Sequence, residues 1–213
     1  MRNRIGAIVS TGGAVALMIG LAATPSFATT PTWTVGPGGS FTAAQSGKFT
    51  LMDTTTGNSL TCATTHGKGR FKTGSGLSGI DIGRLTAATF TGCSGTGGLT
   101  FTMTASHFPW MLSASTYDPA TTGGLTVGTV SGIHAVISGT SCSATVDGTS
   151  AAANDGQTEI HFHNSLDKLK ISTNASNLHV YNVTGCSSLI KSGDPITFSS
   201  AYLLTPTQTI SSP

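Results

Sequence analysis

The stretch Leu99-Thr100-Phe101-Thr102-Met103-Thr104 places an apolar residue at every odd position and a threonine at every even position. A period of two is typical of a β-strand with one buried face and one solvated face. The same alternation marks further candidate strands, at Trp33–Val35, Phe49–Leu51, Thr158–Phe162, Lys168–Ser172, Leu178–Val183 and Ile196–Leu203.

Turn-forming clusters separate these candidate strands. They are rich in Gly, Asn, Asp and Pro, and the pair Asp155-Gly156 fits a tight hairpin. No stretch shows the sustained 3.6-residue periodicity of a helix. The sequence therefore predicts an all-β protein with an antiparallel β-sandwich or barrel-like fold.

The composition agrees with strands and disfavours nucleic acid as a partner. Charged residues are 8% of the chain and apolar residues are 38%, while Ser and Thr make up roughly 30%, far above their usual share. The formal net charge is +2, and no run of Lys or Arg with interleaved aromatic residues is found. We expect a surface solvated by hydroxyl groups and no cofactor.

The first residues have the three-part layout of a secretory signal peptide. Arg2 and Arg4 precede a charge-free stretch, which ends in the small-residue pattern Ser26-Phe27-Ala28. Gly and Pro interrupt this stretch, and its apolar part is short for a spanning helix. We therefore predict a signal peptide at residues 1–28, cleaved after Ala28, and a single secreted β-rich domain at residues 29–213, located outside the cell or in the cell envelope without a membrane helix.

Four cysteines, Cys62, Cys93, Cys142 and Cys186, follow the predicted cleavage site. An even number of cysteines in an exported chain indicates disulfides. Of the three pairings that four cysteines allow, we favour Cys62–Cys93 with Cys142–Cys186, because each pair then stays within its own half of the chain. The sequence Thr-Gly-Cys-Ser surrounds both Cys93 and Cys186, which allows two related halves in a disulfide-stapled fold.

The layout resembles a group of small secreted proteins of unknown function from actinobacteria, which are β-rich and contain four cysteines. The residues that carry the resemblance are Trp33-Thr34-Val35, Asp53–Cys62, Gly76–Cys93, Pro109-Trp110, Tyr117, Gly132-Ile133-His134-Ala135 and Leu178–Cys186. The resemblance implies an exported β-rich fold. It implies no activity.

Glu159, His161 and His163 lie two residues apart in a candidate strand, so their side chains share one face. Two imidazoles and a carboxylate at this spacing could take part in a metal site, with His179 as an outside ligand. The alternative is a solvated polar face opposite Ile160 and Phe162, and we prefer it because a complete site needs ligands that the sequence does not place.

Other catalytic patterns are missing from the sequence. No G-x-S-x-G motif marks a nucleophilic serine, and Asp118, Asp147, Asp155 and Asp194 stand next to Gly or Pro, where Asp is a common turn residue. His66, His107 and His134 are interpreted as surface or core residues. We therefore assign no catalytic residue and expect a non-catalytic protein.

The densest aromatic patch is His107-Phe108-Pro109-Trp110, and Tyr117 follows it. Phe108, Trp110 and Tyr117 could contact a sugar or an apolar ligand, although large aromatic residues also anchor cores. We expect a binding or structural protein of the exterior or envelope. The alternatives are a carrier of a small apolar or sugar ligand, a hydrolase and an envelope pore, and an apolar pocket beside Trp110 would favour the carrier.

Overall fold

The alternating residues form fifteen β-strands within residues 31–213, which the computed structural model describes. In chain order they are β1 (Trp33–Gly36), β2 (Gly39–Gln45), β3 (Phe49–Asp53), β4 (Ser59–Phe71), β5 (Gly74–Leu77), β6 (Gly83–Gly95), β7 (Thr100–Ser106), β8 (Trp110–Asp118), β9 (Leu125–Gly139), β10 (Ser143–Asp147), β11 (Gly156–His163), β12 (Lys168–Ile171), β13 (His179–Thr184), β14 (Ile196–Thr205) and β15 (Thr209–Ser211). Two 3₁₀ turns, Thr96–Gly98 and Asn164–Leu166, are the helical elements of this range. The predicted signal peptide lies outside the described residues.

The predicted all-β fold is confirmed, and its antiparallel pairings close into a ring. Going round the ring, each strand pairs with the next in the order β9, β11, β12, β14, β2, β4, β6, β8 and back to β9. The barrel-like form of the expected fold therefore describes this part of the molecule, since a sheet that returns to its first strand encloses its own core.

Four long strands, β4, β6, β9 and β14, continue beyond this ring into a second tier. There β14 pairs with β3, β6 with β7, and β9 with both β7 and β10, while β13 extends the sheet from β10. A bridge between His179 and Pro195 links β13 to the start of β14. The long strands thus give both tiers one continuous interior.

The interior is filled by the apolar residues of the alternating pattern. Along β14, for example, every second residue from Ile196 to Leu204 is buried, and the residues that alternate with them are more accessible. Gly132, with a φ of +81°, precedes a change of phase in β9: even-numbered residues are buried before it, and Ile133, Ala135 and Ile137 are buried after it. A residue with positive φ re-aims the strand, and glycine adopts this conformation without steric cost.

A separate sheet of β15, β1 and β5 covers one end of the ring. Thr126, at the start of β9, donates a hydrogen bond from Oγ1 to the carbonyl oxygen of Ile210, 2.8 Å away. Ile210 borders an interior void together with Leu112 and Phe162. The fully buried Trp33 of β1 also belongs to the core, so the small sheet shields the apolar interior at this end.

Both predicted disulfides are confirmed, but they have different surroundings. Cys62 and Cys93 are directly opposite each other on β4 and β6, inside the core. Cys142, in the turn between β9 and β10, is bonded to Cys186, which follows β13. The sequence Thr-Gly-Cys-Ser occurs around both Cys93 and Cys186, but the two disulfides do not join equivalently paired strands.

The prediction of a tight hairpin at Asp155-Gly156 is wrong. β10 ends at Asp147, eight residues separate it from β11, and these two strands pair with β9 rather than with each other. Residues 31–213 form one compact unit. Within them, no helix is long and apolar enough to cross a membrane.

Candidate functional site

An apolar cavity of about 60 Å³ lies inside the ring of strands. This volume has room for about four to six water-sized spheres. The walls come from all eight strands of the ring and from β3, and nearly all of them are apolar: Ala43, Phe49, His66, Gly67, Leu85, Ala88, Phe90, Trp110, Leu112, Val130, Ile133, Ile160, Leu169, Ile171, Phe198 and Tyr202. Such a lining favours an apolar guest over water.

One part of this wall is polar. Thr65 donates a hydrogen bond from Oγ1 to the hydroxyl oxygen of Tyr202 across 3.0 Å. Burial raises the pKa of Tyr202, so its hydroxyl stays neutral at physiological pH. Both groups are buried; Tyr202 lines the mostly apolar cavity, and the hydrogen bond from Thr65 fixes its hydroxyl group.

Ser200 adds a further hydroxyl group beside this pair. It lies between Phe198 and Tyr202 on the inward face of β14, and only 5% of its surface is exposed. Its Oγ makes no hydrogen bond of good geometry among the described residues, although it lies close enough to the Tyr202 hydroxyl to lower the pKa of that group. A buried hydroxyl of this kind costs about 1–3 kcal/mol of stability unless something binds it. We name Thr65, Ser200 and Tyr202 the hydroxyl cluster.

The wall of the ring has a gap beside Trp110. β6 pairs with β8 as far as Leu85, opposite Trp110, and with β7 only from Thr89 onward. The three residues between, at positions 86–88, have no strand partner on that side. The cavity lining next to them is only half-buried, at Leu85, Ala88 and Phe90. We call this gap the β6 window, because half-buried residues of the cavity lining lie beside it.

Two of the three predicted ligand-contacting aromatic residues lie together near this window. Trp110 lines the cavity, and its ring is stacked on Phe108 at 4.8 Å between centroids. A hydrogen bond of 3.0 Å from Trp110 Nε1 to the carbonyl oxygen of Ser106 fixes the indole. Phe108 is half-buried in the turn that leads from β7 to β8, so it flanks the entrance rather than the cavity.

Tyr117 lies elsewhere. It is paired with Thr126 near the opposite end of β8, and its hydroxyl packs so closely on Gly124 that a Cβ there would collide with it. It does not line the cavity.

Glu159, His161 and His163 alternate on β11 as predicted, but they have the surroundings of a polar face. The Nε2 atom of His161 lies 2.9 Å from Oε1 of Glu159. Burial lowers the pKa of His163, and the charges of His161, Lys170 and Lys168 lower it further. Two lysines repel a cation here, and residues 31–213 contain no group of three side chains placed to hold a metal ion. His179 instead has its Nδ1 atom 2.8 Å from the carbonyl oxygen of Asn177.

A buried His–Asp pair is present that the sequence did not reveal. Nδ1 of His134 lies 2.9 Å from Oδ2 of Asp147, and the ring of His107 meets the ring of His134 edge-on at 4.3 Å. Asp147 also accepts hydrogen bonds from the backbone N–H groups of Gly148, Asn154 and Asp155. This carboxylate therefore organises the loop between β10 and β11.

The electrostatics of Asp147 agree with that structural role. Burial raises the pKa of Asp147, but the hydrogen bonds from His134 and the three backbone groups outweigh it, so the pKa lies below its ordinary value. No serine, threonine or cysteine hydrogen-bonds to His134 or His107 among the described residues. The pair thus resembles two members of a catalytic triad without a nucleophile in contact.

The hydroxyl cluster was missed by sequence analysis because its members are far apart in the chain and belong to the commonest residue types. One signal was readable: Ser200 occupies an inward position in the alternation of Phe198 and Tyr202, where an apolar residue is the rule. No family model, no curated protein and no solved structure matches the chain.

Proposed function

We propose that this protein is a non-catalytic, exported binding protein that carries a small ligand inside its ring of strands. The observation that supports the proposal best is an apolar cavity that is lined by Tyr202 of the hydroxyl cluster and has a gap in its wall beside Trp110. Small-molecule sites have this composition: an apolar lining with a few fixed polar groups.

The shape and chemistry of the cavity favour a small ligand with an apolar body and one polar group. The rings of Phe49, Phe90 and Trp110 offer flat apolar contacts, and Tyr202 offers a hydroxyl group at the wall, with Ser200 next to it on the inward face of β14. A sugar fits poorly, because the hydroxyl groups around its ring would face apolar walls without hydrogen-bond partners. Among the carriers we therefore favour one for apolar ligands.

Two further features support function by binding. The exposed positions of the strands carry mainly Thr and Ser, which suits a protein that works in water. The His134–Asp147 pair is used to hold a loop, so it gives the hydrolase alternative no support.

Phenol is a suitable probe, because it is small and combines an apolar ring with a single hydroxyl group. Native mass spectrometry of the exported protein tests for a co-purified ligand. Titration with phenol, followed by calorimetry or by the fluorescence of Trp110 in a Trp33→Phe background, tests the cavity directly. We expect saturable binding, with benzene weaker and glycerol without effect.

Matched variants locate the site. Ala43 lines the cavity, whereas its neighbour Ala44 is exposed on the same strand. Ala43→Leu and, at the window, Ala88→Leu should abolish phenol binding, and Ala44→Leu should leave it unchanged. Ser200→Ala should remove the preference for phenol over benzene, by about fivefold for one lost hydrogen bond. If Ala43→Leu and Ala88→Leu both fold normally and bind phenol with unchanged affinity, the carrier proposal is refuted.

A further inference from the structure

The outer face of β4, with the residue that follows it, carries a row of basic residues at alternating positions. His66, Lys68, Arg70 and Lys72 are all exposed, and the residues between them are glycines or the buried Phe71. Alternate residues of a strand lie about 7 Å apart on the same face. Arg84 on β6 is directly opposite Arg70. Four of the ten lysines and arginines of the chain therefore share one surface, which we call the basic stripe: Lys68, Arg70, Lys72 and Arg84.

The charges of the basic stripe are not neutralised within the described part of the protein. The two ion pairs among the described residues both involve histidine, and no carboxylate oxygen lies within 4.0 Å of a side-chain nitrogen of these four residues. Like charges directly opposite on paired strands, such as Arg70 and Arg84, destabilise a sheet. This costs stability in a chain with only 8% charged residues, so the arrangement indicates a role outside the fold.

A surface depression accompanies the charges. It has a volume of about 260 Å³ and is bordered by Arg70, Lys72, Arg84, Met111 and Asp81. The two guanidinium groups can each form paired hydrogen bonds with a planar carboxylate or with a sulfate. Only one acidic side chain borders this space, so its field is positive.

We propose that the basic stripe binds an anionic polysaccharide. Three cations about 7 Å apart along β4 match an extended polymer with repeated negative groups. The neighbouring strand presents Ser40 opposite Arg70 and Thr42 opposite Lys68, so hydroxyl groups flank the charges and can bond sugar hydroxyls. The exposed residues of β2, β4 and β6 include no Phe, Tyr or Trp on which nucleic-acid bases could stack.

This site is separate from the cavity, because the stripe faces outward from strands whose inward residues enclose the proposed ligand. The small formal net charge of +2 therefore conceals a local basic patch. The binding of a polymer to the stripe also does not depend on whether the cavity is occupied.

The test uses the full exported protein with immobilised polymers at 150 mM salt. Alginate and polygalacturonate supply carboxylates, heparin and dextran sulfate supply sulfates, and neutral dextran is the negative control. We expect retention on at least one anionic class and none on dextran. The comparison of carboxylated with sulfated polymers identifies which anion is preferred.

Two double variants with equal charge change locate the contact. Arg70→Gln with Arg84→Gln removes two charges from the stripe, and Lys168→Gln with Lys170→Gln removes two from β12. For the arginine variant we expect at least about a tenfold loss of affinity and a weaker salt dependence of binding. For the lysine variant we expect a loss of affinity of about twofold or less. All four substituted residues are at the surface, and equal thermal midpoints check that folding is preserved.

Several outcomes would overturn the proposal. They are no retention on any anionic polysaccharide, an equal loss in the two double variants, and tighter binding of single-stranded or double-stranded DNA than of every polysaccharide at the same salt concentration.

Discussion

The two disulfides allow a quantitative prediction, because they close loops of similar length in different surroundings. Cys142 and Cys186 are 44 residues apart, and Cys62 and Cys93 are 31 residues apart. In the chain-entropy model, loss of these bonds lowers the free energy of unfolding by about 4.0 and about 3.7 kcal/mol. Loop length alone therefore makes the Cys142→Ala/Cys186→Ala variant slightly the less stable of the two.

Burial reverses this order. Cys62 and Cys93 are 3% and 2% exposed and belong to the core, whereas Cys142 is only half-buried. Replacement of Cys62 and Cys93 by alanine also removes two packed sulfur atoms, which costs roughly 1 kcal/mol more. We thus expect a total loss of about 5 kcal/mol for this pair and about 4 kcal/mol for Cys142 with Cys186.

Urea unfolding at neutral pH, followed by circular dichroism, measures both variants against the wild type. For a chain of this size, losses of about 4 and about 5 kcal/mol correspond to a fall in thermal midpoint of about 8–20 °C. The wild type treated with a reductant serves as a third sample and should match the less stable variant or fall below it. A loss under about 2 kcal/mol in either variant, or a larger loss for Cys142 with Cys186, would refute the reasoning.

Three further substitutions test the interior and the loop. Asp147→Asn should lower the free energy of unfolding at pH 7 by about 3 kcal/mol, because it weakens a buried pair. Since the folded pKa of Asp147 is depressed, its contribution to stability is present above the unfolded pKa of about 3.9 and is lost as the pH falls through the folded pKa. In urea unfolding, the stabilities of wild type and variant should therefore converge in acid, and a pH-independent difference would contradict this. Ser200→Ala should raise stability by about 1 kcal/mol in the absence of ligand, measured as a higher urea midpoint, and a loss would show that the hydroxyl is satisfied. Gly128→Ala should cost about 3 kcal/mol or more, because its Cβ would collide with the backbone carbonyl oxygen of Ser113 on β8; an unchanged thermal midpoint would mean that the two strands can separate.

Local features of the fold could be predicted from the sequence. Strand β7 has its buried Met103 between exposed threonines, as the alternation in its sequence indicates. The pairing of Cys62 with Cys93 follows from keeping each disulfide in its own half. These inferences succeed because the period of a strand and the order of cysteines are properties of neighbouring or similarly placed residues.

Contacts between distant segments could not be predicted. The pairing of β9 with β11 closes the ring, but alternation does not reveal which strand lies beside which. The pair Asp155-Gly156 predicts a tight hairpin, but Asp147 holds these residues in a longer loop. The basic stripe could not be predicted from net charge or from runs of consecutive basic residues, because a strand brings alternate residues to one face.

The ring of strands has a consequence for how the protein behaves at high concentration. An open sheet leaves backbone N–H and C=O groups along its outermost strand, where another chain can add itself. In the ring each strand already has a neighbour on both sides, so foreign chains find no row of free backbone groups to extend there. The closed ring therefore offers fewer places for fibril growth than an open sheet of the same strands would.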